Sequence, residues 1–349
     1  MKTNDPQQQP VFSPEGYRVN LAHGEVVLSP GGTYRQLVFK NVDFTSITVK
    51  ANFESCVFLN CKFHLTDMSG SVLESVRFES SSIRESAFMW TKSRSLTFSN
   101  TTVTNVRFAF SDLSHAKFLS TELSECNFRD TRLENALFDV ATVTDCGFPN
   151  VMAKNLIIRL SSLTRVTLEE SNFFGLEIRD SAADYLTIMD SDLQASTWNN
   201  VTSEAGKWDI WGANFTSSQW SLCDAQNSSW YKNKWKDVVI ERCNFFRNSF
   251  IGDNFENCAL ISVGLNEVKG KSIVFSNLRA SALRLRFADL SDCFFKNSVI
   301  EDSAFEYAKL ALSGENFQIV RPTYSQETKW HDGFSPDTQP HPTDHPKNI

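Results

Sequence analysis

From Phe53 to Trp198 every fifth residue belongs to one class of side chain. The series runs Phe53, Phe58, Phe63, Met68, Leu73, Phe78, Ile83 and onward to Leu193 and Trp198; 27 of its 30 members are large and apolar, the exceptions being Ser93, Ala153 and Ala183. An α-helix repeats every 3.6 residues and a strand every 2, so neither accounts for a phase of five held this long. An internal repeat does, and it obliges the chain to stack copies of one small element. The residue two before each member is small or modest, from Ala51, Cys56, Cys61, Thr66 and Ser71 through to Ser196. Each five therefore offers one large and one small inward position, and its other three residues are mostly polar and face water.

Taking every fourth member separates the series into columns. One column holds Phe58, Phe78, Phe98, Phe118 and Phe138, and the opposite one holds Met68, Phe88, Phe108, Phe128 and Phe148. The columns between them hold Phe63, Ile83, Val103, Leu123 and Val143, and Phe53, Leu73, Ser93, Leu113 and Leu133. Large and medium columns alternate only if four fives, or 20 residues, make one circuit.

The segments AKFLS (116–120), CNFRD (126–130), ALFDV (136–140) and ADLSD (288–292) carry a small residue, a polar one, a central Leu or Phe and two variable residues. In this the sequence resembles the pentapeptide-repeat family over about three quarters of its length, with Phe favoured over Leu at the centre and Cys, Ser or Thr over Ala at the small position. The resemblance implies an all-β fold, a right-handed quadrilateral β-helix of about 13 coils of 20 residues.

Shifts of phase divide the chain. Tyr34, Phe39, Phe44 and Val49 lie one residue out from Phe53, which places a slip near 50–52 and the start of the repeat at 34. A second slip, of two residues, is expected at DIWGAN (209–214), after which the period resumes at Phe215 and runs to Leu310. Residues 1–33 read as a polar leader with capping strands, 34–312 as the β-helix, and the Pro-rich 313–349 as a C-terminal cap and flexible tail. The opening MKTNDPQQQPVFSPEGY lacks the apolar core of a secretory signal, and no apolar run reaches the length of a membrane span. A bacterial cytoplasmic location is the expectation, the alternative being delivery into a host cell without a cleaved signal peptide.

All eight cysteines, Cys56, Cys61, Cys126, Cys146, Cys223, Cys243, Cys258 and Cys293, fall two before a centre. Spacing of five sets Cys56 and Cys61 on adjacent walls rather than around one metal ion, so they read as small core fillers and free thiols. His64 and His115 occupy outward positions and His331, His341 and His345 the tail, too scattered for a site. No phosphate loop, zinc-helix motif or nucleophile elbow is present. The reading is non-enzymatic, with no cofactor and no metal.

Net charge is −7, with 34 basic residues interleaved among 41 acidic ones, so no concentrated basic face offers itself to a nucleic-acid backbone. The first functional reading is therefore a protein-binding scaffold with an unidentified protein partner. The family resemblance adds two alternatives, a DNA-mimicking binder of DNA gyrase conferring quinolone-type resistance, and an effector delivered into host cells. The candidate partner-binding residues are outward and apolar. Trp90 and Phe110 are 20 apart and so stack as a ladder flanked by Met89, while Trp211, placed in the inserted loop, has Tyr231 beside it. The other tryptophans of that region, Trp198, Trp208, Trp220, Trp230 and Trp235, are read as centres.

Overall fold

Each five-residue step folds as three extended residues and a corner, and the corner has one recurrent conformation. From Ser55 to Asn200 every fifth residue, two after the centre, has a positive φ, with Gly70 and Gly175 among them; the same holds from Gly212 to Phe287. That left-handed residue turns the chain sharply, so the next three residues start a new wall. Glycine or asparagine suits such a position, yet Trp90, Phe110, Val140, Leu160 and Tyr185 also occupy it.

The structure is a computed structural model that describes residues 17–21, 24–204, 206–310, 313–315, 318–320, 323–324, 328 and 341–342. The described residues contain strands but no helix, and the chain forms a right-handed β-helix of about 14 turns. It divides into two compact units, Met1–Ala153 and Lys154–Ile349.

In the first unit Tyr17–Leu21 pairs antiparallel with Gly24–Leu28. The next strands are parallel. Tyr34 aligns with Phe53 and Phe39 with Phe58, a step of 19 residues that absorbs the slip near 50–52. From there the step is 20, as Phe58 aligns with Phe78, Phe78 with Phe98, and Phe98 with Phe118. The rings stack accordingly: Phe58–Phe78, Phe78–Phe98, Phe98–Phe118 and Phe118–Phe138 have centroids 5.0, 5.2, 5.1 and 4.5 Å apart. On the opposite wall Phe108–Phe128 and Phe128–Phe148 stack at 5.0 and 4.6 Å, and the two columns meet edge to face, as Phe118 meets Phe128 at 6.3 Å and 85°. Offset stacks and edge contacts are the arrangements aromatic quadrupoles favour, so Phe fills the lumen without a mismatch.

The small position has a polar task that size alone does not reveal. Ser71 Oγ accepts from the Ala51 N–H at 3.2 Å and donates to the Val49 carbonyl at 2.8 Å, in the coil before. Thr101 Oγ1 likewise donates to the Phe78 carbonyl at 3.1 Å. Cysteine takes the same part, since Cys146 Sγ accepts from the Cys126 N–H at 3.4 Å and Cys61 Sγ donates to the Phe39 carbonyl at 3.2 Å. A hydroxyl or thiol at this place satisfies backbone groups that no water reaches. All eight cysteines are buried free thiols, and burial pushes Cys61 up to about 11 and Cys293 up to about 12. Their place is to fill the interior and satisfy its backbone groups.

In the second unit the step widens to 22 residues once, with Ile188 aligned on Ile210 and Trp198 on Trp220. Asp209–Trp211 is already a regular strand of the new frame, so the two extra residues enter upstream of it, within 203–207, and not at 209–214. Two consequences correct the sequence reading. Ile210 is the centre, and Trp208 occupies the small position, where its N–H donates to Ser228 Oγ at 2.9 Å and its indole Nε1 to the Ala183 carbonyl at 2.6 Å. Trp198, Trp220, Trp230 and Trp235 are buried centres, with Trp198–Trp220 stacked at 4.5 Å and Trp230–Phe250 at 5.6 Å. Pairing also continues past Leu310. Phe294–Lys296 aligns with Ser313–Glu315 and Val299–Glu301 with Gln318–Val320, so a further coil stands where the pattern placed a cap. Most of 329–349, including the expected tail, lies outside the described residues.

Candidate protein-binding surface

Trp90 and Phe110 stand on the left-handed corner that follows the Phe88 and Phe108 centres, with φ of 54° and 61°. Their rings are parallel to within 8° with centroids 5.5 Å apart, and both are exposed, 57% and 46%. Backbone bonds fix the corner. The Trp90 N–H donates to the Ala109 carbonyl at 3.1 Å and the Phe110 N–H to the Arg129 carbonyl at 2.9 Å. Met89 is half-buried beside them and its N–H donates to Ser69 Oγ at 3.2 Å. One coil below Trp90 the corner residue is Gly70, whose neighbourhood is open, the nearest atom to a Cβ placed there being Lys50 Cε at 3.9 Å. One coil above Phe110 it is Asp130. The ladder thus has two rungs, one of them beside a step with no side chain.

Trp211 and Tyr231 lie in the second unit, on the adjacent strands Asp209–Trp211 and Ser229–Tyr231, where they are direct register partners. Trp211 is therefore a strand residue and not part of an inserted loop. Both face outward, exposed 42% and 40%, with Lys232 Nζ 4.8 Å from the Tyr231 ring centre. The row extends beyond the two residues picked from sequence, because Met189 aligns with Trp211 and Ile251 with Tyr231.

A second exposed ladder was not anticipated. Phe287 and Tyr307 stack at 4.7 Å and 18°, with the Arg286 guanidinium 5.1 and 5.9 Å from the two ring centres. The signal was available, since the pair shows the same 20-residue spacing at the corner as Trp90 and Phe110. Phe174 and Phe246, off-centre aromatics, are likewise covered by cations, Lys154 at 5.3 Å and Arg247 at 4.6 Å. Polar outward residues neutralise one another between coils, as in Arg35–Glu54 at 2.6 Å, Arg247–Glu267 at 2.7 Å and Lys236–Glu256 at 3.0 Å. Among the described residues no three His, Cys, Asp or Glu side chains are placed to hold a metal, and no helix is long and apolar enough to cross a membrane.

With the 20-residue register, the four inward columns and the corner geometry in place, the sequence model for pentapeptide repeats matches residues 97–139 with eight copies. This segment is a run of pentapeptide repeats. The chain is similar to HetL of the cyanobacterium Nostoc sp. strain PCC 7120, a pentapeptide repeat protein involved in heterocyst differentiation regulation, at 16% identity over 62% of this chain and 84% of that one, TM-score 0.30. It is similar to QnrB1, a plasmid-mediated fluoroquinolone resistance protein, at 14% identity over 68% of this chain and 90% of that one, TM-score 0.18. The Streptococcus pneumoniae surface protein and adhesin PfbA aligns at 9% identity over 84% of this chain and 90% of that one, TM-score 0.27. No curated protein matches the sequence. Likeness at this level transfers neither activity nor partner to a pentapeptide-repeat chain.

Proposed function

We propose that the chain acts without catalysis, as a scaffold that binds a protein partner through the Met89, Trp90 and Phe110 corner. The observation that carries this reading is the exposed parallel stack of Trp90 on Phe110 beside the empty step at Gly70. Large rigid aromatics of this kind anchor protein interfaces, because they bury much area while losing little side-chain freedom. The open step at Gly70 suits a ring or guanidinium from a partner, which would lie on Trp90 as a third rung. The coil-to-coil ion pairs count against a duplex-mimicking mode of binding, which needs a continuous acidic wall. Whether the partner is a topoisomerase or a host protein is decided by capture. Immobilised wild type and a Trp90→Ala/Phe110→Ala variant are exposed to bacterial and host lysates, and bound proteins are identified by mass spectrometry. The expected result is a protein retained by the wild type and lost in the variant while the circular dichroism of the two agrees. Identical sets of bound proteins would remove the ladder from the function.

A further inference from the structure

One outward row of the second unit reads as its own chemical complement when reversed. Along the wall centred on Leu168, Ile188, Ile210, Trp230, Phe250 and Gly270, the residue after each centre is in turn Glu169, Met189, Trp211, Tyr231, Ile251 and Lys271, and each aligns in register with the next. An acid begins the row and a base ends it. Next inward stand two aliphatic groups, and in the middle two aromatic rings. Glu169 and Met189 are half-buried and the other four are exposed, and among the described residues no ion pair engages Glu169 or Lys271.

We infer that this wall is a self-recognition surface that takes a second copy of the chain in antiparallel orientation. A two-fold axis lying in the interface along the strands, midway between Trp211 and Tyr231, reverses the order of the coils and leaves each row facing itself. Trp211 then meets the partner copy's tyrosine ring, Met189 meets an isoleucine, and Glu169 meets a lysine. The flanking rows agree. In the row before the centres, Thr167, Thr187 and Asp209 meet Lys269, Ser249 and Ser229. At the corners, Glu170, Asp190 and Gly212 meet Ser272, Gly252 and Lys232. Nowhere in the three rows does a charge oppose its like, whereas a parallel copy in register would set Glu169 against Glu169 and Lys271 against Lys271. Opposed like charges exclude the wrong orientation and opposed unlike charges select the right one. A palindromic order of acid, aliphatic, aromatic, aromatic, aliphatic, base has no use in binding an unrelated partner, and it is what an isologous contact requires.

The contact is small. Six coils span about 24 Å at the strand spacing of a sheet, and three residues of strand about 10 Å, which is well short of the roughly 800 Å² per partner of a stable complex. Association is accordingly weak, concentration-dependent and salt-sensitive, and it does not depend on the Trp90 ladder.

Sedimentation equilibrium of the full chain between about 10 μM and about 1 mM tests it, the range in which a weak dimer populates. The wild type is expected to move from monomer to dimer. Glu169→Lys alone and Lys271→Glu alone each weaken the dimer at least tenfold by opposing like charges. An equimolar mixture of the two variants restores it, because every lysine of one copy then faces a glutamate of the other, and so does the double variant E169K/K271E by itself. Both positions of charge change face outward, so circular dichroism stays constant throughout. A monomer at every concentration overturns the inference. So does a dimer indifferent to the single variants, or single variants that fail to rescue each other.

Discussion

Asp253 is a buried carboxyl at the small inward position, where the repeat mostly places an uncharged side chain. Its Oδ1 accepts from Trp235 Nε1 at 3.2 Å, from Asn233 Nδ2 at 2.9 Å and from the Asn233 N–H at 3.2 Å, while its Oδ2 has no partner. Burial outweighs these bonds and raises the carboxyl from 3.8 to about 6. Well below pH 4 both folded and unfolded chains hold the proton, and the fold loses nothing at this site. As the pH rises toward 6 the unfolded chain releases its proton first, so stability falls by about 3 kcal/mol and stays lower above that. Asp253→Asn keeps the accepting oxygen and removes the charge. Denaturant unfolding at a series of pH values should show the drop between pH 4 and 6 in the wild type and its absence in the variant; superimposable curves would mean the carboxyl is not held in this environment. A second residue-scale expectation concerns Val140, a β-branched residue at φ 55° on the exposed left-handed corner. That conformation costs a β-branched side chain on the order of 1–2 kcal/mol, so Val140→Asn should gain about 1 kcal/mol in the same assay.

The pentapeptide itself was legible at its centre and only partly at its edges. The centres were readable because each is buried against its counterparts one coil above and below, so a wrong residue there is penalised twice. Phe108→Asp places a charge among Phe88, Phe98 and Phe128, and soluble protein should not be recovered, a buried unpaired charge costing several kcal/mol. The residue before the centre carries a subtler signal. Asp112 Oδ1 accepts from the Ser114 N–H at 3.1 Å and from Ser114 Oγ at 2.6 Å, and Asn127 and Asn172 hold their turns the same way. Asp112→Ala should therefore lower stability by about 1 kcal/mol in a thermal melt, and its recovery as soluble protein beside the loss of Phe108→Asp would separate the turn from the inward position. Trp208 was misread because period alone cannot say which of two inward positions a residue takes when extra residues precede it. Only the pairing of Ile188 with Ile210 decides it. The surface residues were legible as exposed aromatics, but the order of the row from Glu169 to Lys271 became visible only once the 22-residue step had put Met189 in line with Trp211.

For the molecule as a whole the repeat makes stability a sum over stacked neighbours, so whole circuits can be removed while a fraction of one needs a dedicated step, as at the 19- and 22-residue steps. Removing residues 101–120 joins Asn100 to Thr121 and subtracts one full circuit of 20. Phe98 then lies under Phe138 and Phe88 under Phe128, each in its own column, and the left-handed corner stays at every fifth residue. Removing residues 103–120 instead takes out 18 and advances all that follows by two places. Arg129, Glu134 and Asp139 then fall on small inward positions, where a charge has neither water nor partner. The difference of two residues between the deletions is trivial in composition and decisive in register. The 20-residue deletion should give soluble protein with a β-type circular dichroism spectrum and a cooperative melt, a few degrees lower for the lost coil. The 18-residue deletion should be recovered insoluble or melt far lower, since two surplus residues must be looped out of a coil that lacks the widening the chain has before Asp209. Equal behaviour of the two would mean that the chain tolerates a phase the stacked columns forbid, and the 20-residue circuit would then not be what holds the fold.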